Sequence, residues 1–287
     1  MIFAIDAHQH FWDTARVPLP WLRSEHAQIA GPYEPADLEP LLRPAGVDRT
    51  ILVQSACSDA DTELMFEHAD RHAWIAGVVA WLPLESPADT AARLDTLATR
   101  PKLRGIRHLI HEEPDPHWIM QAAVLESLEL VAANDLVLEV PAVYPRHLGD
   151  VPALAQTFPT LTIVIDHLGK PPFDGEGFRD WARQIENAAA HENVAAKISG
   201  LNTALSRPDW SAADFEPAVG VAIDAFGPER LLCGSDWPVA LLNGDYGRVW
   251  AETRRTLDAV ARQDQDQMLH GTACRLYRLA EVPVGAH

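Results

Sequence analysis

The chain has 287 residues, 47% of them hydrophobic, with 41 acidic against 23 basic side chains and a formal charge of −18. That balance argues against nucleic acid or an anionic membrane surface as partner, because phosphate recognition needs clustered Lys and Arg, and the apolar content is too high for a disordered chain. Cys57, Cys233 and Cys274 are widely spaced, odd in number and form no CxxC pair, so neither a disulfide framework nor a cysteine zinc site is indicated; no apolar run could span a bilayer, and the opening Met1-Ile2-Phe3-Ala4-Ile5-Asp6 is not a signal peptide, so a cytoplasmic protein is expected.

Short apolar runs alternate with helical patterns along the chain. The first predicted strand, residues 3–10, ends Asp6-Ala7-His8-Gln9-His10. Alternate strand residues share a face, so His8 and His10 point the same way. Two imidazoles so spaced suit one metal ion or one substrate, or else cap the core as a hydrogen-bonded pair. Leu38, Leu41 and Leu42 then show helical spacing. The second strand, 49–55, carries Gln54, a substrate donor or a strand cap. The third, 74–82, carries Trp81, which with Trp12 could wall a pocket or simply pack. The fourth, 103–110, brings Arg107 and His108, with Glu112 and Glu113 beyond. A guanidinium and an imidazole there can bind a carboxylate or carbonyl oxygen, or form a rim salt bridge.

Val124, Leu125 and Leu128 mark the next helix. Strand five, 136–142, holds Glu139 between apolar neighbours. A carboxylate in that setting needs a partner, so it is a ligand, a base, or the buried counter-ion of Arg107 or Lys197. Strand six, 161–167, ends Asp166-His167. Strand alternation sets the two on opposite faces, and His167 is the one expected at the mouth. Lys170 opens a Pro- and Gly-containing stretch, 170–177, one of several such stretches that also include 16–20 and 114–116. Strand seven, 194–199, supplies Lys197 and Ser199, and a helix through Ala218, Val221, Ala222 and Ala225 leads to strand eight, 231–236. That strand ends Gly234-Ser235-Asp236-Trp237-Pro238. A carboxylate there, beside imidazoles, can hold and deprotonate a water; its structural alternative is a helix cap. Residues 246–261 and 264–279 read as closing helices.

Eight near-continuously apolar strands with helices between them predict a parallel (β/α)8 TIM barrel, with residues 1–287 as one domain. A doubly wound open sheet is the alternative, weakened because no GxGxxG or GxxxxGK[ST] follows a strand. In a barrel, the polar strand ends meet at one face. His68, His72, His117, His191 and His270 fall on helices or loops and are expected at the surface.

Residues 5–13, Ile5-Asp6-Ala7-His8-Gln9-His10-Phe11-Trp12-Asp13, resemble the opening of the amidohydrolase-2 branch of the amidohydrolase superfamily, and within it the sugar lactonases of the L-fuconolactonase and L-rhamnonolactonase kind. The agreement continues through residues 102–108, 166–171, 197–201, 226–238 and 271–277, in order over nearly the whole chain. The resemblance implies a distorted (β/α)8 barrel hydrolase. It also implies a metal site built from the first-strand HxH, histidines on strands five and six, and an aspartate on strand eight. His8, His10, His167 and Asp236 match, but strand five has no histidine, and strand four offers no candidate for a carboxylated lysine. A binuclear site is therefore not expected. One divalent ion, such as zinc, on His8, His10 and Asp236 remains open beside a reaction needing no cofactor.

The expected reaction is hydrolysis of a small-molecule sugar lactone. Asp236 is the expected general base, with His8, His10, His167 and Arg107 at the carbonyl oxygen. His108, Gln54, Glu139, Lys170 and Trp81 are expected to help bind the substrate. The competing readings are a metal-dependent amidase or decarboxylase on the same barrel, and a non-catalytic sugar-binding barrel. The oligomeric state is not legible.

Overall fold

Eight parallel strands, each hydrogen-bonded to the next in sequence order, form the centre of a computed structural model that describes residues 4–173 and 176–280. They are β1 Ala4–Gln9, β2 Val47–Val53, β3 Ile75–Ala80, β4 Leu103–Arg107, β5 Val137–Val140, β6 Ile163–Ile165, β7 Val194–Ile198 and β8 Leu231–Cys233. All eight expected strands are present, most shortened at the ends. Phe3 of the first and residues 174–175 of the 170–177 stretch lie outside the described residues. The ring closes through backbone bonds just past β8, where His10 N donates to Trp237 O at 2.7 Å and Asp236 N to His8 O at 2.8 Å. The chain is thus a TIM barrel. Its register is irregular over the first four strands: it shifts between Ala4 and Ile5 and between Asp6 and Gln9 on β1, between Thr50 and Ile51 on β2, and between Val78 and Val79 on β3.

The helices are α1 Pro35–Ala45, α2 Asp59–Arg71, α3 Pro87–Leu97, α4 Ala122–Ala133, α5 Val151–Thr157, α6 Phe178–Ala189, α7 Ala212–Phe226, α8 Tyr246–Arg255, α9 Arg262–Asp266 and α10 Thr272–Leu276. The last predicted helix is in fact three pieces, since a π-helical turn, Gln267–Gly271, separates α9 from α10. Leu38 and Leu42 of α1 are buried, but Leu41 is 39% exposed, so its helical spacing did not mark the core face. No described helix is long and apolar enough to cross a membrane.

Alternation sorts each strand into two layers. Inward residues Ile5, Ala7, Ile51, Val53, Val79, Val137, Val164, Ala195 and Leu232 form one cluster, which Ala273, Tyr277 and Leu279 of the closing segment join. Outward residues such as Leu52, Val78, Ile106, Leu138, Ile165 and Ile198 pack beneath the helices in the larger core. Continuing the inward register brings polar groups into the barrel: Glu139 after Val137, Asp166 after Val164, and Lys197 and then Ser199 after Ala195. On β5, β6 and β7 the apolar layer and the polar site are therefore one column of side chains; on β1 the register shift between Asp6 and Gln9 breaks the alternation, so that His8 and His10 reach the site although Ile5 and Ala7 also face inward.

Candidate active site

At the upper end of that column, His8 Nε2 and His10 Nε2 lie 3.1 Å apart. Gln9, between them, turns to the other face and donates to Thr50 Oγ1 at 3.0 Å. Asp236 Oδ1 lies 3.3 Å from His10 Nε2, 3.6 Å from His8 Nε2 and 4.0 Å from His167 Nε2. Three imidazoles from β1 and the end of β6 thus converge on one carboxylate from the end of β8, and all four side chains are buried.

Beneath His8 sits a buried ionic cluster. Lys197 Nζ lies 2.6 Å from Glu139 Oε2, 3.4 Å from Asp166 Oδ1 and 3.1 Å from His8 Nδ1. Arg107 Nη1 donates to Asp166 Oδ2 at 2.9 Å, and the Tyr277 hydroxyl donates to Glu139 Oε1. Two cations thus stand beside two carboxylates in a buried interior, where an unpaired charge would be prohibitive. Burial would raise Asp166, but Lys197, His8 and Arg107 outweigh it and hold the carboxyl well below its usual range. Burial lifts Glu139 to about 7, against the pull of Lys197. His8 is pushed well down by burial and then by Lys197, so its ring is neutral. Asp236 is lowered from its ordinary value because His167, His10 and His8 outweigh its burial, and it stands as a carboxylate.

A cavity of about 220 Å³ opens onto this cluster, with His10, Arg107, His167, Lys170 and Asp236 on its wall. Trp21, Val239 and Leu242 form an apolar side. Trp12 is buried behind Trp21, at 5.5 Å between ring centres, and its indole donates to Gly31 O. The cavity also holds Glu112, noted beyond the fourth strand, and groups that strand-end reasoning passed over: Trp21, Arg23, His26 and His111. They sit on loops or short turns, where no strand period signals them.

The remaining expected site residues lie behind the wall. Gln54 is fully buried and accepts from Arg107 Nε at 3.2 Å through its side chain and from Arg107 Nη2 at 2.6 Å through its carbonyl, so it aims the guanidinium. Glu139 is spent on Lys197 and Tyr277. The Trp81 indole donates to His108 Nδ1 at 3.2 Å, and His108 stacks on Trp118 and meets Glu113 at 2.8 Å. These side chains satisfy one another rather than face the cavity. Asp166 was expected to face away, but it continues the inward register of Val164. His167 joins it because the chain turns left-handed there, at φ 54°. Of the histidines expected at the surface, His117 is exposed and pairs with Asp150, while His68, His72, His191 and His270 are half-buried; none lines the cavity.

The donor set can be tested against a metal ion. His10 Nδ1 lies 2.8 Å from Val53 O, which only accepts, so Nδ1 carries the hydrogen. Nε2 of neutral His10 is then a lone pair facing Asp236 Oδ1. Two electron pairs 3.3 Å apart require a proton or a cation between them. Ligand atoms of His8, His10 and Asp236 all fall within 4.8 Å of one another. A tetrahedral zinc with bonds of about 2.0–2.1 Å has ligand–ligand edges of roughly 3.4 Å, so these residues fit one such ion. His8, Asp166 and His167 also cluster, but Lys197 and Arg107 already neutralise that carboxylate.

Residues 5–279 match the amidohydrolase family. An L-fucono-1,5-lactonase of Burkholderia ambifaria is 38% identical over 283 residues, covering 97% of each chain. A protein of the same name from Burkholderia multivorans is 34% identical and covers 96% of each. The crystal structure of a Burkholderia multivorans amidohydrolase with bound zinc is similar at a TM-score of 0.89 and 33% identity, covering 97% of this chain and 100% of that one.

Proposed function

The chain belongs to the amidohydrolase family, and from that premise we propose that it opens the ring of a sugar lactone, with Asp236 as general base toward water. The observation that carries this reading is the convergence of three imidazole Nε2 atoms on Asp236 Oδ1, at 3.3–4.0 Å, with Asp236, His10 and His167 on the wall of one cavity. The similarity to two L-fucono-1,5-lactonases supports the substrate class.

A lactone carbonyl is an ester, so water attack needs less activation than on an amide. Asp236 accepts a proton from the water as its oxygen bonds to the carbonyl carbon. Negative charge collects on the carbonyl oxygen, where Arg107 and His167 face it from the wall. His167 Nδ1 meets Ser199 Oγ at 2.9 Å and the Ser199 carbonyl, which only accepts, at 3.3 Å, so Nδ1 carries a hydrogen and Nε2 reaches the oxyanion as a donor only when the ring is protonated. His10 Nε2 helps only when its ring is protonated against Asp236, or through a cation. The carbon–oxygen ring bond then breaks, and the proton held by Asp236 passes to the leaving alkoxide. The product is an open-chain aldonate.

If a zinc ion is bound, His8, His10 and Asp236 hold it, and it supplies Lewis acidity toward the carbonyl oxygen. Elemental analysis of purified protein, with activity measured before and after chelation, decides whether the ion is needed. Loss on chelation and recovery with zinc establish a metal-dependent enzyme; unchanged turnover of metal-free protein establishes the opposite. The base is tested with Asp236→Asn on a panel of aldonolactones, beginning with L-fucono-1,5-lactone, followed by acid release. A fall in kcat of about 10²–10⁴-fold is expected, and undiminished turnover would remove Asp236 from this role.

A further inference from the structure

Four consecutive residues, His167, Leu168, Gly169 and Lys170, have φ of 54°, 51°, 67° and 54°. Left-handed backbone costs about 1–2 kcal/mol at each non-glycine residue, so the turn persists only because its surroundings hold it. It carries His167 into the catalytic cluster and sets Lys170 on the cavity wall. No hydrogen bond or ion pair engages the Lys170 ammonium among the described residues. On the same wall stands His111, from the short 3-10 turn Ile110–Glu112 after β4. Its Nδ1 is closed off from solvent and has no hydrogen-bond partner. Such an orphan costs about 1–3 kcal/mol. The proposed mechanism uses neither group.

We propose that His111 and Lys170 are the specificity-determining pair of the cavity and take the ring hydroxyls of the lactone rather than its reacting carbonyl. The proposal rests on the lactonase reading. Lysine offers only donors, whereas a neutral imidazole whose Nδ1 is closed off presents Nε2, a single donor or acceptor that a ring hydroxyl can meet. Burial, followed by Lys170 and Arg107, pushes His111 down to about 3, so the ring adds no charge to the wall. The other cations nearby are engaged: Arg23 pairs with Glu112 at 3.2 Å and Arg107 with Asp166 at 2.9 Å. A lone free ammonium beside an uncharged ring suits a neutral polyol better than a substrate bearing additional carboxylates.

The test compares the wild type with His111→Leu, Lys170→Met and Lys170→Gln on L-fucono-1,5-lactone and on δ-valerolactone, the same ring without hydroxyls. The ratio of the two kcat/KM values is the readout. It should fall roughly 10–100-fold in His111→Leu and Lys170→Met, and less in Lys170→Gln, which keeps a donor. A ratio within twofold of wild type, whether both activities drop or neither does, overturns the proposal. Calorimetric titration with L-fucono-1,5-lactam and with 2-piperidone separates this result from failure of the lactonase reading. If wild type hydrolyses neither lactone, that reading fails, and the lactam preference alone decides the pair. Equal binding of the two lactams by wild type, or a preference that the variants retain, overturns it.

Discussion

The buried lysine of β7 shows most directly how single residues set this site. Lys197 is fully buried and contacts Glu139, Asp166 and His8. Lys197→Met would leave two carboxylates sharing Arg107 as their only counter-charge. Breaking a buried pair in this way costs about 3–5 kcal/mol, which corresponds to a fall in Tm of roughly 10 °C for a chain of this size. Calorimetry should show that loss, and the double variant Lys197→Met/Glu139→Gln should recover part of it. A single variant as stable as wild type would mean that the cluster is solvated or neutral. Glu139 was legible in the sequence as a carboxylate requiring a partner. Which partner it takes was not, because Arg107 and Lys197 were equally available until the strands were placed side by side.

Among the elements, the turns after the strands decide more than the strands themselves. Gly200, at φ +61°, follows β7 under the cluster of His167 and Asp236. A Cβ there would stand 2.6 Å from Asp236 Oδ2 and 2.9 Å from His167 Nδ1. Gly200→Ala is expected to cost about 1–2 kcal/mol in backbone strain, yet to lower kcat at least ~10-fold by displacing the aspartate. Gly220, inside α7, has nothing within 4 Å of its would-be Cβ. Gly220→Ala should therefore raise stability by about 0.5–1 kcal/mol through helix propensity alone, with turnover unchanged. Thermal melts and kinetics of the two variants check the contrast; equal activity in both would show that the Gly200 turn does not hold Asp236. The left-handed turn at 167–170 belongs to the same class. Strand alternation predicted that either Asp166 or His167 would face inward, and the turn brings in both.

At the scale of the whole molecule, the closed barrel leaves Cys233 with no exposure between β8 and the helices, and burial raises its thiol to about 12. Labelling by iodoacetamide at pH 8 should reach Cys233 only when the barrel opens, because the thiolate is the nucleophile. Its rate, followed by peptide mass spectrometry, should track the loss of ellipticity across a urea titration. Modification of Cys233 in fully folded protein would show local opening at β8. Cys57, on the loop after β2, is exposed as a residue, but burial of its thiol lifts it to about 11, so in folded protein it should label slowly, at a rate that does not track unfolding.

The sequence by itself determined the eight strands, the barrel, the family, and the imidazoles and aspartate that end β1, β6 and β8. Those features are local: an apolar run with a polar end reads the same in one dimension as in three. Tertiary structure alone decided which groups meet. It paired Lys197 with Glu139, set Gln54 behind Arg107 rather than in the cavity, turned His108 and Trp81 toward each other, and brought Trp21, Arg23 and His111 to the wall. The physical reason is that a loop residue carries no period, and that a buried charge takes whichever partner the closed barrel sets within about 3 Å of it.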